Sequence, residues 1–274
     1  MLYNATKYLL LLLVCSFSCL SCGESDPSEN ATRLRIKLTD AASLVMKELY
    51  IDIQQIDILV TDSSAVEEEW ETLQFTGGAY NLLKLMNGKS VQLVDQYFPA
   101  GKKLKAIRMV LGNNNRLLTT TDSIVMLNIP PIMADGIMIE NVNADLPANI
   151  ITSIVIDVNA ALSVRESNGN YFFYPVARAF PETFGGSLRG YVAPVEANAF
   201  VAIVQESDTF LTLPEGEGGM FMFTGLNPGI WEVHVKAHPL SNFRDTVFTD
   251  SIKQGKITEI TPKPIRLKPV TPGS

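Results

Sequence analysis

The chain of 274 residues carries a formal net charge of −7, two histidines, and three cysteines that all fall within its first 22 positions. A mildly acidic chain without a basic run argues against nucleic acid as a partner and against electrostatic docking on a membrane surface. The length admits one large or two ordinary domains, and a chain of that size needs no disulfide staples.

Lys7 precedes an almost purely leucine run over residues 8–14, and Ser18, Ser21 and Gly23 supply small residues around Cys22. A positive residue, a short apolar stretch and small residues make a secretory signal, too short to span a bilayer. A signal that ends at cysteine resembles a bacterial lipoprotein signal. That resemblance implies cleavage before Cys22, lipidation of its sulfur and stable attachment to a membrane. Cys19, preceded by Ser18, is the competing acceptor. Cleavage before Cys22 leaves a single cysteine without a disulfide partner, and the loss of Lys7 takes the charge from −7 to −8. Residues 22–31 are acidic and polar and read as a solvated tether. They also resemble the acidic export signal with which some Gram-negative lineages move lipoproteins to the outer cell surface. The expected location is therefore the cell envelope, as an outer-membrane lipoprotein facing the periplasm or the exterior.

Beyond the tether most of the chain reads as strands. Leu34, Ile36 and Leu38 alternate with Arg33, Arg35 and Lys37, the pattern of a half-buried strand. In the next strand Leu49, Ile51 and Ile53 share one parity, but Ile56, Ile58 and Val60 take the opposite one. A one-residue slip would turn the core side outward, so the pattern predicts a β-bulge at Gln54-Gln55. Apolar runs recur over residues 106–111, 137–142 and 150–158, separated by turn signals such as Asn87-Gly88 and Asn168-Gly169. Two segments invite short helices: 41–46, with Asp40 as cap, and 80–86. Residues 181–187 interrupt the pattern, and a second strand-rich unit follows. Its candidates are 188–192, 199–205, 210–213, 220–224, 230–237 and 256–260, with a tight Gly225-Leu226-Asn227-Pro228-Gly229 turn. Many short strands at this spacing predict an all-β protein of two β-sandwich domains, residues 32–180 and 187–268.

Six strings in order carry a family resemblance across residues 32–180. They are Leu38-Thr39-Asp40-Ala41, Tyr50-Ile51-Asp52-Ile53-Gln54, the run from Tyr80 through Gly88, Pro99-Ala100-Gly101, the run from Ile107 through Asn114, and Tyr171 through Phe180. This region resembles the bacterial lipoprotein domain known as domain of unknown function 4382. It departs from the family pattern at Ala42, where proline is usual, and at Lys84, where an acid is common. The resemblance implies an architecture and a location but no activity. Residues 187–268 resemble the carboxypeptidase regulatory-like, transthyretin-type β-sandwich, through Leu188-Arg189-Gly190-Tyr191-Val192, residues 199–204 and the segment from Gly219 to Ile230. Related sandwiches include starch-binding modules, which makes glycan binding an alternative function, although a fold alone does not establish it.

Candidate chemistry is sparse. Gly185-Gly186-Ser187-Leu188-Arg189 ends in arginine where a nucleophile elbow requires glycine. His234 and His238 sit roughly 13 Å apart if extended, too far for one ion. Asp135, Glu140, Asn141, Asn143 and Asp145 are oxygen-rich but lack a known calcium-loop spacing. Arg108 and Arg178 interrupt apolar runs, and the structural expectation is that they pair with Asp52, Asp157 or carbonyl groups. The functional alternative is a ligand-gripping arginine, suited to a carboxylate. Trp70, Tyr80, Tyr97, Tyr171, Phe173 and Trp231 are candidate sugar platforms, though alternation expects several in the core. The expected protein is a lipid-anchored, non-enzymatic envelope protein without metal or cofactor. Its expected partners are the membrane, through the anchor, and a glycan or another envelope protein. The alternative is a surface glycan-binding lipoprotein that uses the C-terminal sandwich.

Overall fold

The computed structural model describes residues 28, 30–41, 43–62 and 67–270. In chain order it begins with β1 (Ala31–Ala41), β2 (Met46–Asp62), β3 (Glu68–Thr72), β4 (Gly78–Asn81), β5 (Val91–Pro99), β6 (Lys102–Leu111), β7 (Arg116–Thr119) and β8 (Ile124–Asn128). There follow β9 (Ile137–Ile139), β10 (Ala144–Leu146), β11 (Ile151–Asn159), the one-turn helix α1 (Ala160–Ser163), β12 (Val164–Ser167), β13 (Asn170–Phe173) and β14 (Ala177–Pro181). Strands β14, β11, β1 and β5 form a four-stranded sheet in that order, with β1 and β11 parallel. The other strands of this set form a ten-stranded sheet centred on β2. The two sheets close on one core, to which Leu34, Ile36 and Leu38 contribute from β1 and Leu49 through Val60 from β2.

The seventeen-residue β2 shows why the apolar parity changes. Its register against β6 shifts between Ile53 and Gln55, as the sequence pattern predicts, so Ile53 and Ile56 are both fully buried. The partner chain breaks at the same level: β6 pairs with the later half of β2 and β7 with the earlier half. Asn115 repairs the interrupted ladder between them. Its Oδ1 accepts from the Asp52 backbone N–H at 2.8 Å, and its Nδ2 donates to the Gly112 carbonyl at 2.6 Å. Asn115 is fully buried, which is tolerable because its amide satisfies main-chain groups that would otherwise lack partners.

Neither expected helix forms among the described residues. Residues 40–41 complete β1, and the Asp40 carboxylate accepts from the Ala160 N–H at the start of α1. Asn159 caps that turn by accepting from the Leu162 N–H at 3.1 Å. Of residues 80–86 only Leu82–Lys84 turn, as a 3-10 segment, while Tyr80 belongs to β4. Helices this short are marginal alone, so strand pairing and the burial of Leu82 and Leu83 decide the outcome.

The chain continues with β15 (Gly186–Ala193), β16 (Phe200–Gln205), β17 (Asp208–Thr212), β18 (Met220–Leu226), β19 (Gly229–Lys236), β20 (Thr246–Ile252), β21 (Ile257–Glu259) and β22 (Ile265–Arg266). One four-stranded sheet runs β18-β15-β21, with β22 also paired to β15, and the other runs β17-β16-β19-β20. Trp231, Val233 and Val235 of β19 are fully buried in a core that shares no residue with the first. Strand β20 escapes a sequence reading because Thr-Val-Phe-Thr-Asp-Ser-Ile has no clean apolar alternation.

Candidate functional site

A dense polar network lies where the two sandwiches meet. Arg178 on β14 stands opposite Asp157 on β11. Its Nε and Nη2 donate to Asp157 Oδ2 at 2.9 and 2.8 Å. Nη1 donates to the Gly225 carbonyl at 2.7 Å, and Nη2 to the Thr224 carbonyl at 3.1 Å, both on β18 of the second sandwich. The guanidinium carbon lies 4.7 Å from the Phe180 ring centroid and 4.2 Å from that of Phe210. Four of its five N–H donors are thus committed inside the protein. Burial pushes the Asp157 carboxyl above the ordinary carboxylate range, against the pull of Arg178. Gly225, at φ +61°, is required here because a Cβ would stand 2.2 Å from the Phe180 ring.

A second contact is built on Asn87, in the left-handed conformation at φ +58° and 7% exposed. Its Nδ2 donates to the Leu213 carbonyl and to Glu215 Oε2, at 2.9 and 3.0 Å. Its Oδ1 accepts from the Thr212 hydroxyl and the Met222 N–H, at 2.8 and 3.1 Å. All four partners belong to the second sandwich. Lys89 adds an ion pair to Glu215 at 2.7 Å. Burial pushes the Glu215 carboxyl up, but the bonds from Asn87 and Lys89 outweigh it and hold the group below its usual value. Asn87 and Arg178 therefore form a two-point clasp.

The space left over the clasp decides what it can do. The pocket touching both Arg178 and Asn87 holds only about 30 Å³, room for a water or two. A ligand carboxylate has no place there unless the clasp opens. Beside it lies a wider cleft of about 480 Å³, lined by Val155, Phe180, Phe184, Met222, Lys256 and Ile257.

Arg108 has a different partner from the one expected. It donates from Nε to Asp57 Oδ2 at 2.8 Å and lies over the Trp70 ring at 4.6 Å. Asp52 instead accepts from Gln54 Nε2 and from the Asn114 N–H. The bulge is the reason: the register places Asp57 opposite Arg108 and Asp52 opposite Ala79. Asp57 is 1% exposed and also accepts from Thr72 and Gln55, at 2.7 and 2.8 Å. Burial raises this carboxyl, but its three donors together bring it below the ordinary value.

Cys22 and nearly all of the tether lie outside the described residues. Among the described residues no group of three His, Cys, Asp or Glu side chains is placed to hold a metal. His234 pairs with Glu232 at 2.7 Å, and His238 Nδ1 accepts from the Leu240 N–H. Ser187 lies in β15, and Arg189 pairs with Glu259. Of the candidate platforms, Trp231 and Phe173 are fully buried, Tyr80 and Tyr171 pack on the first core, Trp70 carries Arg108, and Tyr97 is 49% exposed. No helix among the described residues is long and apolar enough to cross a membrane.

Residues 31–175, just over half of the chain, match the model of a family described as a domain of unknown function, DUF4382. The chain belongs to the DUF4382 family. Its clasp joins that domain, through Asn87, to the strands that follow it. No curated protein sequence matches the chain. Similar solved structures include the Bacillus anthracis TIE protein, at 12% identity over 87% of this chain and 34% of that one, with a TM-score of 0.24. Another is a fimbrial protein from Bacteroides ovatus, at 9% identity over 87% and 50% of the two chains, with a TM-score of 0.29. A third is the shaft pilin spaA from Lactobacillus rhamnosus GG, at 10% identity over 87% and 98%, with a TM-score of 0.25. The chain spans about a third of the TIE protein and half of the fimbrial protein. Superpositions at these TM-scores carry no argument about role.

Proposed function

We propose that the protein is a lipid-anchored cell-envelope protein with a non-catalytic binding or structural role. In this reading Cys22 carries the lipid and residues 22–31 are the tether. Residues 32–180 are the working domain, and residues 187–268, a carboxypeptidase regulatory-like sandwich, brace it as a spacer. The observation that carries the structural part is the clasp: Arg178, oriented by Asp157, and Asn87 are spent on joining the two sandwiches. Groups committed this way stiffen a joint and leave little to activate a substrate. The signal ending at Cys22 supports the anchor and the outer-membrane location. The alternative, glycan binding by the C-terminal sandwich, has less support, since Trp231 is buried and Phe210 is covered by Arg178.

Cells fed labelled palmitate test the anchor. The label should enter the protein, and Cys22→Ser should abolish incorporation and release the chain from the membrane fraction. A Cys22→Ser protein that stays membrane-bound would refute the anchor.

A further inference from the structure

The outer face of the ten-stranded sheet carries an arrangement that neither the clasp nor the anchor uses. Arg116 on β7 lies 4.3 Å over the Tyr50 ring, and Arg165 on β12 lies 4.8 Å over the Tyr174 ring. Leu49, Leu117, Leu127 and Phe173 point into the core, so alternation places Tyr50, Arg116, Met126, Asn128 and Phe172 on the opposite face. The register then sets two adjacent rows: Tyr50, Arg116 and Met126 in one, Asn128, Phe172 and Arg165 in the next. The two arginines stand three strand spacings apart, roughly 14 Å across the sheet.

These two arginines differ from those held in ion pairs. Arg33, Arg108, Arg178 and Arg189 are each paired with a carboxylate. Among the described residues Arg116 and Arg165 have no carboxylate within ion-pair distance, and Arg116 donates only to the main-chain and side-chain oxygens of Asn114. Between them Met126 is 51% exposed, and Asn128 and Asn170 are exposed. Glu48 and Asp52 flank Tyr50 on β2, so the acid-free area ends at β7.

We propose that this face binds an acidic polysaccharide, with Arg116 and Arg165 taking uronate carboxylates and Met126 and Phe172 supporting the sugar rings. A guanidinium resting on an aromatic ring keeps N–H donors available at its edge, where they can grip a carboxylate through two bonds. Pre-orientation by Tyr50 and Tyr174 lowers the entropy lost on binding. The apolar face of a pyranose suits the exposed Met126 thioether and the half-buried Phe172 ring, while the Asn170 amide and the Asn128 Oδ1 match its hydroxyls, the Asn128 Nδ2 already donating to the Tyr171 carbonyl at 3.2 Å. Because the protein as a whole is anionic, general electrostatics would repel such a polymer and only a local site would attract it. The proposal does not rest on lipidation.

Affinity electrophoresis of the full chain in detergent, in gels containing polygalacturonate, dextran or dextran sulfate, tests it. The expected result is retardation by polygalacturonate and none by dextran. The paired variant Arg116→Lys with Arg165→Lys keeps both charges but loses the planar forks, and should bind at least tenfold more weakly. Met126→Glu, which puts an acid mid-platform, should abolish retardation, while Arg33→Gln, on the other sheet, should bind as the parent does. Absence of retardation, equal retardation by dextran, full binding by either platform variant, or equal loss in Arg33→Gln would overturn the site. Tighter binding of dextran sulfate than of polygalacturonate would overturn the carboxylate assignment.

Discussion

Asp57 ties one carboxylate to the acid response of the outer face. Its native value is depressed, so on acidification the unfolded chain takes up a proton before the folded one does. The stabilisation is complete above the unfolded carboxylate range and fades as pH falls through the native value. Asp57→Asn is expected to cost about 2 kcal/mol at pH 7, the scale of a buried hydrogen-bonded charge. The gap between the two proteins should narrow as the pH falls toward 3 in denaturant melts, and a gap independent of pH would contradict this role. Only part of this site was legible in the sequence. Arg108 and Arg178 stood out as charges interrupting apolar runs. Asp57 did not, because its partner depends on which parity follows the bulge. Asn87 was hidden more thoroughly: Asn-Gly reads as a local turn, and nothing local says that its amide reaches residues 212–222.

At the scale of elements, the parity switch in β2 was legible because three apolar residues on each side of Gln54-Gln55 made the pattern unambiguous. The short helices were misread because capping residues and turn-length apolar runs cannot outweigh strand pairing. Strand β20 was missed because its inward positions are Thr246, Phe248, Asp250 and Ile252, so polar residues stand where an apolar period would show. The bulge carries its own prediction. Deleting Gln55 forces either Leu49, Ile51 and Ile53 or Ile56, Ile58 and Val60 to face solvent. Three such side chains, at about 1.5–3 kcal/mol each, amount to a loss comparable with the whole stability of a domain. The deletion protein should therefore lose its cooperative thermal transition in circular dichroism. A melt close to that of the parent would show that the strand re-registers without cost.

For the whole molecule, the joint decides how the two sandwiches act together. Interfaces between domains often permit relative motion unless they are large and apolar. Here the coupling is polar and geometric: one amide whose four bonds all cross the joint, and one arginine that reaches two carbonyls between two aromatic rings. In the anchored reading proposed above, a clasped joint would let the two sandwiches act as one body. A chain beginning after Cys22 contains no cysteine, so spin labels can be placed at Ser123→Cys and Ser251→Cys, both exposed and one on each sandwich. Pulsed electron-spin distance measurement between these labels should return a single narrow distribution. Asn87→Ala combined with Arg178→Met should broaden it. A broad or two-peaked distribution in the parent protein would contradict the clasped joint.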